Sequence, residues 1–121
     1  PHAPFQPILD WWNTHTYGRQ CYIGLGIYRA GSNAAWKDVK QLPRQIDSVR
    51  SKENVQGAIY FSSTTFDNNP NGWSDSLRNN YYRQPALIPP MPWLPENPNK
   101  KWNSTGLITP AAQIPMDKKG L

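Results

Sequence analysis

Two short alternating runs with one amphipathic stretch between them constrain this chain more than any other feature. From Gln20 to Tyr28, the residues Cys21, Ile23, Leu25 and Ile27 alternate with Tyr22, Gly24, Gly26 and Tyr28, the period-2 pattern of a strand. The second run, Val55 to Ser63, is a short apolar stretch of the same kind. Between them Trp36, Val39, Leu42, Ile46 and Val49 recur at spacings of three and four, which puts them on one face of a helix. Strand, helix, strand is the unit that builds a parallel sheet, with a right-handed crossover. A parallel pair does not stand alone, because such sheets are normally covered on both faces and contain more strands. The chain is therefore expected either to self-associate or to be a piece of a larger α/β fold.

The rest of the chain frames that unit. Pro1 to Pro7 is proline-rich and expected to be extended. Ile8, Trp11, Trp12 and His15 have helical spacing up to about Tyr17, with Gly18 as the stop. Adjacent Trp11 and Trp12 cannot both face a core, and Trp11 is expected to pack. Pro43 should split the central helical stretch into a short first helix and a longer one from near Leu42 to Glu53 and Asn54, since proline is tolerated in a first turn. Thr64 to Gly72 reads as a polar loop closing on the turn cluster Asn69-Pro70-Asn71-Gly72. Ser74 is expected to cap a helix running through Arg83, with Asp75 in its first turn and Leu77 and Tyr81 facing inward. Beyond Arg83, Pro85, Pro89, Pro90, Pro92, Pro95 and Pro98 forbid helix and central strand alike. The expected organisation is one α/β unit over 1–94 and a linker, or the start of a following domain, over 95–121.

Composition narrows the function classes. Of 121 residues only 37% are hydrophobic, while 13 are proline and 6 tryptophan, so the core must rest on a few large aromatics and much of the chain must be loop. Lysine and arginine exceed aspartate and glutamate by 13 to 8, a net charge of +5. The excess is scattered, its longest runs being Lys100-Lys101 and Lys118-Lys119, and nucleic-acid binding, which needs a basic stripe, is not expected. A mild positive charge also suits an anionic polysaccharide or membrane surface, although a solvated basic face is the plainer account. The single cysteine, Cys21, leaves no intrachain disulfide and no cysteine-based metal site; it reads as a buried inert thiol. No apolar stretch approaches the roughly 20 residues of a transmembrane helix, and the opening Pro1-His2-Ala3-Pro4 is not expected to act as a signal peptide, lacking a charged and an apolar region. His2 and His15 have no partners at ligand spacing, so no metal is expected. The hydroxyls of Ser62-Ser63-Thr64-Thr65 have no histidine to activate them and read as loop caps. Gly24-x-Gly26 lies inside a strand and lacks the third glycine of a dinucleotide loop, and no cofactor is expected.

The glycines orient the strands. Gly24 and Gly26 share one face of the first run with Tyr22 and Tyr28, while the opposite face is aliphatic. In a closed (β/α)8 barrel the aliphatic face would meet the ring of helices and the glycine face would line the interior. Barrel active sites gather at the C-terminal ends of the strands. By that rule Tyr28, Arg29, Phe61, Ser62 and Ser63 stand at the functional rim, with Asp67 in the next loop as a candidate substrate contact. Sugars offer apolar C–H faces that pack on flat rings, so Trp73, just past the Asn71-Gly72 turn, is expected to be a loop-borne platform, and Arg29 to pair with a carboxylate. Trp36 is expected to belong to the core stripe of its helix. The competing account makes all of these ordinary strand-end and loop residues.

At these same positions the sequence resembles a known family. The run Tyr22-Ile23-Gly24-Leu25-Gly26-Ile27-Tyr28, then Trp36, Gln45-Ile46, Arg50 and Gly57-Ala58-Ile59-Tyr60-Phe61-Ser62, is similar to the end of the glycosyl-hydrolase-like 10 family of bacterial lipoproteins. Pro85-Ala86-Leu87-Ile88-Pro89-Pro90-Met91-Pro92-Trp93-Leu94 resembles the segment after its last barrel helix. The resemblance covers Ile8 to Leu94 and implies the last two βα units of a TIM-type (β/α)8 barrel. It further implies a periplasmic or outer-membrane lipoprotein acting on a glycan, with peptidoglycan strands stripped of their peptides as one substrate, and the remaining barrel strands as partners. No catalytic residue is assigned. Glycoside hydrolysis needs two carboxylates flanking the bond, and of Asp10, Asp38, Asp47, Glu53, Asp67, Asp75, Glu96 and Asp117 none falls at the C-terminal end of either strand. The segment is expected to supply part of a substrate cleft and to be catalytically silent by itself. A small non-catalytic carbohydrate- or protein-binding module is the alternative.

Overall fold

The structure, a computed structural model, describes residues 4–95 of a chain that divides into two units, Pro1–Gln84 and Pro85–Leu121. The first unit runs α1 (Phe5–Thr14), β1 (Tyr22–Leu25), a 3₁₀ turn (Ile27–Arg29), α2 (Ala34–Lys37), α3 (Gln41–Arg50), β2 (Gly57–Tyr60), α4 (Ser63–Phe66), a second 3₁₀ turn (Pro70–Gly72), α5 (Trp73–Ser76) and a π turn (Leu77–Tyr81). In the second unit residues 85–95 contain neither helix nor strand, as their prolines require, and a turn closes where Leu94 N–H donates to Met91 O at 3.0 Å. The division falls where the prolines begin. Apart from Pro95, the expected linker over 95–121 lies outside the described residues.

Prolines decide where two helices begin. Pro43 sits in the first turn of α3, where a missing N–H costs no intrahelical bond. Pro7 does the same in α1, which therefore starts at Phe5 within the stretch expected to be extended, and stops at Thr14 rather than near Tyr17. Tyr17 and Gly18 follow in the left-handed region, at φ 51° and 74°. The short α2 is capped by Asn33, whose side chain accepts from Trp36 N–H at 3.1 Å. Between α2 and α3 the chain turns extended at Asp38, and this break takes Val39 off the helix face. It is 56% exposed, contrary to the core position its spacing predicts. α3 itself ends at Arg50, short of Glu53 and Asn54.

β1 and β2 pair in parallel, Tyr22 opposite Gly57 and Leu25 opposite Tyr60. Their alternation sends Ile23, Leu25, Ala58 and Tyr60 to one face, where the buried side chains of the described helices pack. Leu25 and Ile27 pack with Trp36, Leu42, Ile46, Trp73 and Leu77, with Ala58, Tyr60, Phe66 and Tyr81 against them. A second cluster joins Leu9 of α1 to Val49 of α3 and to Val55, with Phe5, Cys21 and Ile23 alongside. Thus α1, α3 and α5 cover the same face. Cys21 is half-buried, and that burial pushes its thiol pKa up, which keeps it protonated and unreactive at neutral pH. Trp11 does not pack into this core: it is 52% exposed and stacks on His15 at 4.0 Å, because α1 turns Phe5 and Leu9 inward and carries Trp11 off that stripe.

After β2 the chain winds back across the covered face. Asn69 and Asn71 adopt left-handed φ of 45° and 54°, and Gly72 follows at 71°, conformations that asparagine and glycine accept most readily. The cap of α5 differs from the expected Ser74. The Asn69 side chain accepts from Ser74 N–H at 2.9 Å, and the Ser74 hydroxyl instead donates to Phe66 O at 2.8 Å. The helix expected to run through Arg83 is broken into α5 and the π turn, but Leu77 is buried and Tyr81 half-buried, facing inward as expected.

Candidate functional site

The C-terminal ends of β1 and β2 lie side by side, because the strands are parallel and in register. Tyr28 N–H donates to Phe61 O at 3.3 Å, tying the 3₁₀ turn after β1 to the residue that follows β2. The side chains of Tyr28 and Phe61 stay out of the core, at 62% and 67% exposed, and meet edge to face with ring centres 5.9 Å apart. Gly26 makes room for this pair: a Cβ there would come within 3.0 Å of the Tyr28 ring. Together with Tyr22, Gly24 and Ile59, these residues form a face of the sheet that no helix of the described residues covers.

Of the sequence-predicted site residues, the structure brings Tyr28, Arg29, Phe61, Ser62 and Ser63 to this rim. Arg29 leans over the Trp36 ring, its guanidinium carbon 5.5 Å from the ring centre, which orients the cation at the edge of the core. Ser62 follows Phe61 through a cis peptide, and its hydroxyl lies 3.0 Å from that of Thr64 at the start of α4. Asp67 closes α4 on the exposed surface. Trp73 is a correction. It is 1% exposed, packs at 6.3 Å from Trp36, and donates its indole N–H to Val39 O at 2.9 Å. A ring held on all sides in the core has no face to offer a sugar.

Three carboxylates of the described residues serve the scaffold. Asp38 accepts from Lys40 N–H at 2.9 Å and pairs with Arg44 at 2.6 Å, and these hold its carboxyl below the usual carboxylate range. Asp10 is held low in the same way, by Lys52 at 2.5 Å. Asp75 accepts from Asn69 at 2.8 Å. None of the three contacts the Tyr28–Phe61 pair.

Two features escaped the sequence reading. One is a polar cluster beneath the covered face, where the Tyr60 hydroxyl bonds that of Tyr82 at 2.6 Å and Arg50 lies over Tyr81 and Tyr82 while donating to Tyr81 O at 2.8 Å. Burial, then the Tyr82 contact, pushes the Tyr60 phenol well above the ordinary tyrosine range. The other is Gln45, which is 8% exposed, and whose side-chain oxygen has no hydrogen-bond partner among the described residues. A polar residue on the apolar stripe of α3 is the signal that marks it in the sequence.

Over 103 residues the chain is 37% identical to glycosyl hydrolase YngK of Bacillus subtilis (strain 168), an alignment that covers 82% of this chain and 20% of that protein. The chain thus spans about a fifth of the length of the curated relative it matches. No family model matches, and no solved structure matches. The similarity supports a glycosyl-hydrolase-like relationship for the chain. Among the described residues no helix is long and apolar enough to cross a membrane.

Proposed function

We propose that this chain is a segment of a glycoside hydrolase whose catalytic domain is a (β/α)8 barrel, with β1 and β2 as its last two strands and their C-terminal ends as part of the substrate cleft. The observation that carries the reading is the exposed Tyr28–Phe61 pair beside Arg29, at the C-terminal ends of adjacent parallel strands, in a chain similar to a glycosyl hydrolase. The packing supports the architecture. Successive helices α1 and α3 cover one face, whereas a doubly wound sheet has helices on both; in a barrel the second face is closed by the other strands.

In this role the rings pack against sugar C–H faces, and the Arg29 guanidinium offers a bidentate donor to a carboxylate of the substrate or of the catalytic pair. The two carboxylates that cleave the bond come from strands outside this segment. The finer assignment belongs to the same proposal: the glycosyl-hydrolase-like 10 family, a cell-wall glycan such as peptidoglycan freed of its peptides, and a periplasmic or outer-membrane lipoprotein.

The test uses the polypeptide extended upstream of Pro1, assayed on peptide-free peptidoglycan strands and a panel of neutral polysaccharides. Glycan hydrolysis is expected, and Tyr28→Ala or Phe61→Ala should raise KM roughly two- to tenfold, the worth of one aromatic contact. An unchanged KM in both variants would remove the cleft role. Glycan binding by the 121-residue chain, with no hydrolysis by the longer polypeptide, would favour the non-catalytic module instead.

A further inference from the structure

α1 also turns a row of rings away from the core. Leu9 is the residue this helix buries, and Trp11, two residues on, stands about 200° around the helix from it. The Trp11 indole is 52% exposed and stacks flat on His15, with ring centres 4.0 Å apart. The Tyr17 ring in turn meets His15 at a steep angle, 6.1 Å away, and is 83% exposed. None of the three belongs to either buried cluster, so they add little to the stability of the fold.

They are nonetheless held in place. Trp11 O accepts from the Thr14 hydroxyl at 2.9 Å and from His15 Nδ1–H at 2.7 Å. A carbonyl only accepts, so Nδ1 carries the proton and Nε2 of the neutral ring is an acceptor. Among the described residues neither Nε2 nor the Tyr17 hydroxyl has a partner. Tyr17 takes a left-handed backbone, φ 51°, that such a residue seldom adopts. Asn13 and Asn54 exchange two bonds of 2.9 Å, which pin the end of α1 to the turn ahead of β2. The rings therefore gather toward the N-terminal ends of the strands, opposite the Tyr28–Phe61 rim.

We infer that Trp11, His15 and Tyr17 form a second glycan-binding site, remote from the cleft. A pyranose ring packs its C–H face on the exposed Trp11 and Tyr17 rings, and its hydroxyls bond to His15 Nε2 and the Tyr17 hydroxyl. The class of ligand rests on the glycoside-hydrolase reading. Two observations favour it over other occupants. Three partly exposed rings offer on the order of 300 Å², well under the roughly 800 Å² per partner of a stable protein interface. The only charged side chain of α1, Asp10, is tied to Lys52, so the helix presents no basic face to an anionic membrane.

The experiment measures retention of the full-length polypeptide on insoluble chitin, cellulose and immobilised peptide-free peptidoglycan strands. Trp11→Ala and Tyr17→Ala should each weaken the apparent Kd for a retaining glycan about two- to tenfold, and Trp11→Phe should keep most of the affinity. The same losses should appear when Tyr28→Ala and Phe61→Ala have removed the cleft rings. Tm should stay within about 3 °C in every variant at this surface. An unchanged Kd in the Trp11→Ala, Tyr17→Ala double variant overturns the inference. So does a Trp11→Ala protein that no longer folds, since the ring would then be structural. Self-association or binding to anionic vesicles that Trp11→Ala abolishes, with no change on glycan, assigns the rings to another partner and equally overturns it. Hydrolysis reports separately: retention that depends on Trp11 without glycan cleavage counts against the proposed activity and leaves this site in place, and cleavage without such retention does the reverse.

Discussion

On one face of the β1–β2 pair, Ile23, Leu25, Ala58 and Tyr60 meet the helix layer. On the other, Tyr22, Ile59, Tyr28 and Phe61 stand exposed. Tyr22 and Ile59 are set apart from the covered residues by strand alternation, whereas Tyr28 stands in the 3₁₀ turn after β1 and Phe61 just past the end of β2. The covered face holds the large buried side chains, so stability concentrates there. The bare face holds rings with little to support, which leaves them free for contact with something outside the segment. Such one-sidedness is unusual for parallel strands, which are normally buried on both faces, and it is one of the observations behind the proposed barrel.

Substitutions sharpen this contrast, beginning with the strongest. Trp73→Ala removes a fully buried ring from the covered face and should cost about 3–5 kcal/mol, enough to abolish a cooperative thermal transition in a domain of this size. A retained transition at the same temperature would mean that the core lies elsewhere. Asn69→Ala loses the cap on Ser74 and strains a left-handed residue, and should cost about 1–2 kcal/mol in denaturant unfolding. Asn69→Gly keeps the backbone conformation, so recovery of most of that loss would identify strain rather than capping as the cause.

Tyr60 provides a pH test of the covered face. Its folded pKa is raised above the unfolded value of about 10, so the neutral phenol is the form the fold favours. Its contribution is fully present below about pH 10 and is lost as pH rises above that, because the unfolded chain releases the proton first. Tyr60→Phe should flatten the alkaline fall in Tm, and should cost about 0.5–1.5 kcal/mol at neutral pH for the bond to Tyr82. An identical alkaline slope in both proteins would assign it to other groups. The smallest effects belong to the bare face: Tyr28→Ala or Phe61→Ala should move stability by no more than about 0.5 kcal/mol. A loss of several kcal/mol from either would show that the two faces are not distinct.

Much of the scaffold was legible in the sequence. The alternation placed β1 and its two faces over Tyr22–Leu25, although the run read as strand to Tyr28 gives way to a 3₁₀ turn at Ile27, and Pro43 marked the first turn of α3. Trp36 on its helical stripe pointed to the core, where it lies. Tyr28 and Phe61 were readable as residues of one rim because parallel strands bring their C-terminal ends together, but their edge-to-face contact was not. Less legible was anything that depends on chain reversal. Trp73 follows an exposed-looking turn of asparagine and glycine, yet three left-handed residues in that turn send it back under Val39. Val39 left its stripe because the break at Asp38 interrupts the helix. Asn69 rather than Ser74 became the cap because the folded turn sets its side chain beneath α5.

Local sequence by itself determined which residues alternate, which fall on helical stripes and where prolines start or forbid regular structure, since these follow from backbone geometry within a few residues. Only the tertiary structure decided that α1, α3 and α5 share one face, that Trp73 is core and Tyr28 with Phe61 surface, and that Asn69 rather than Ser74 caps α5. Those outcomes depend on what lies across the sheet from each residue, and periodicity names a face without naming its cover.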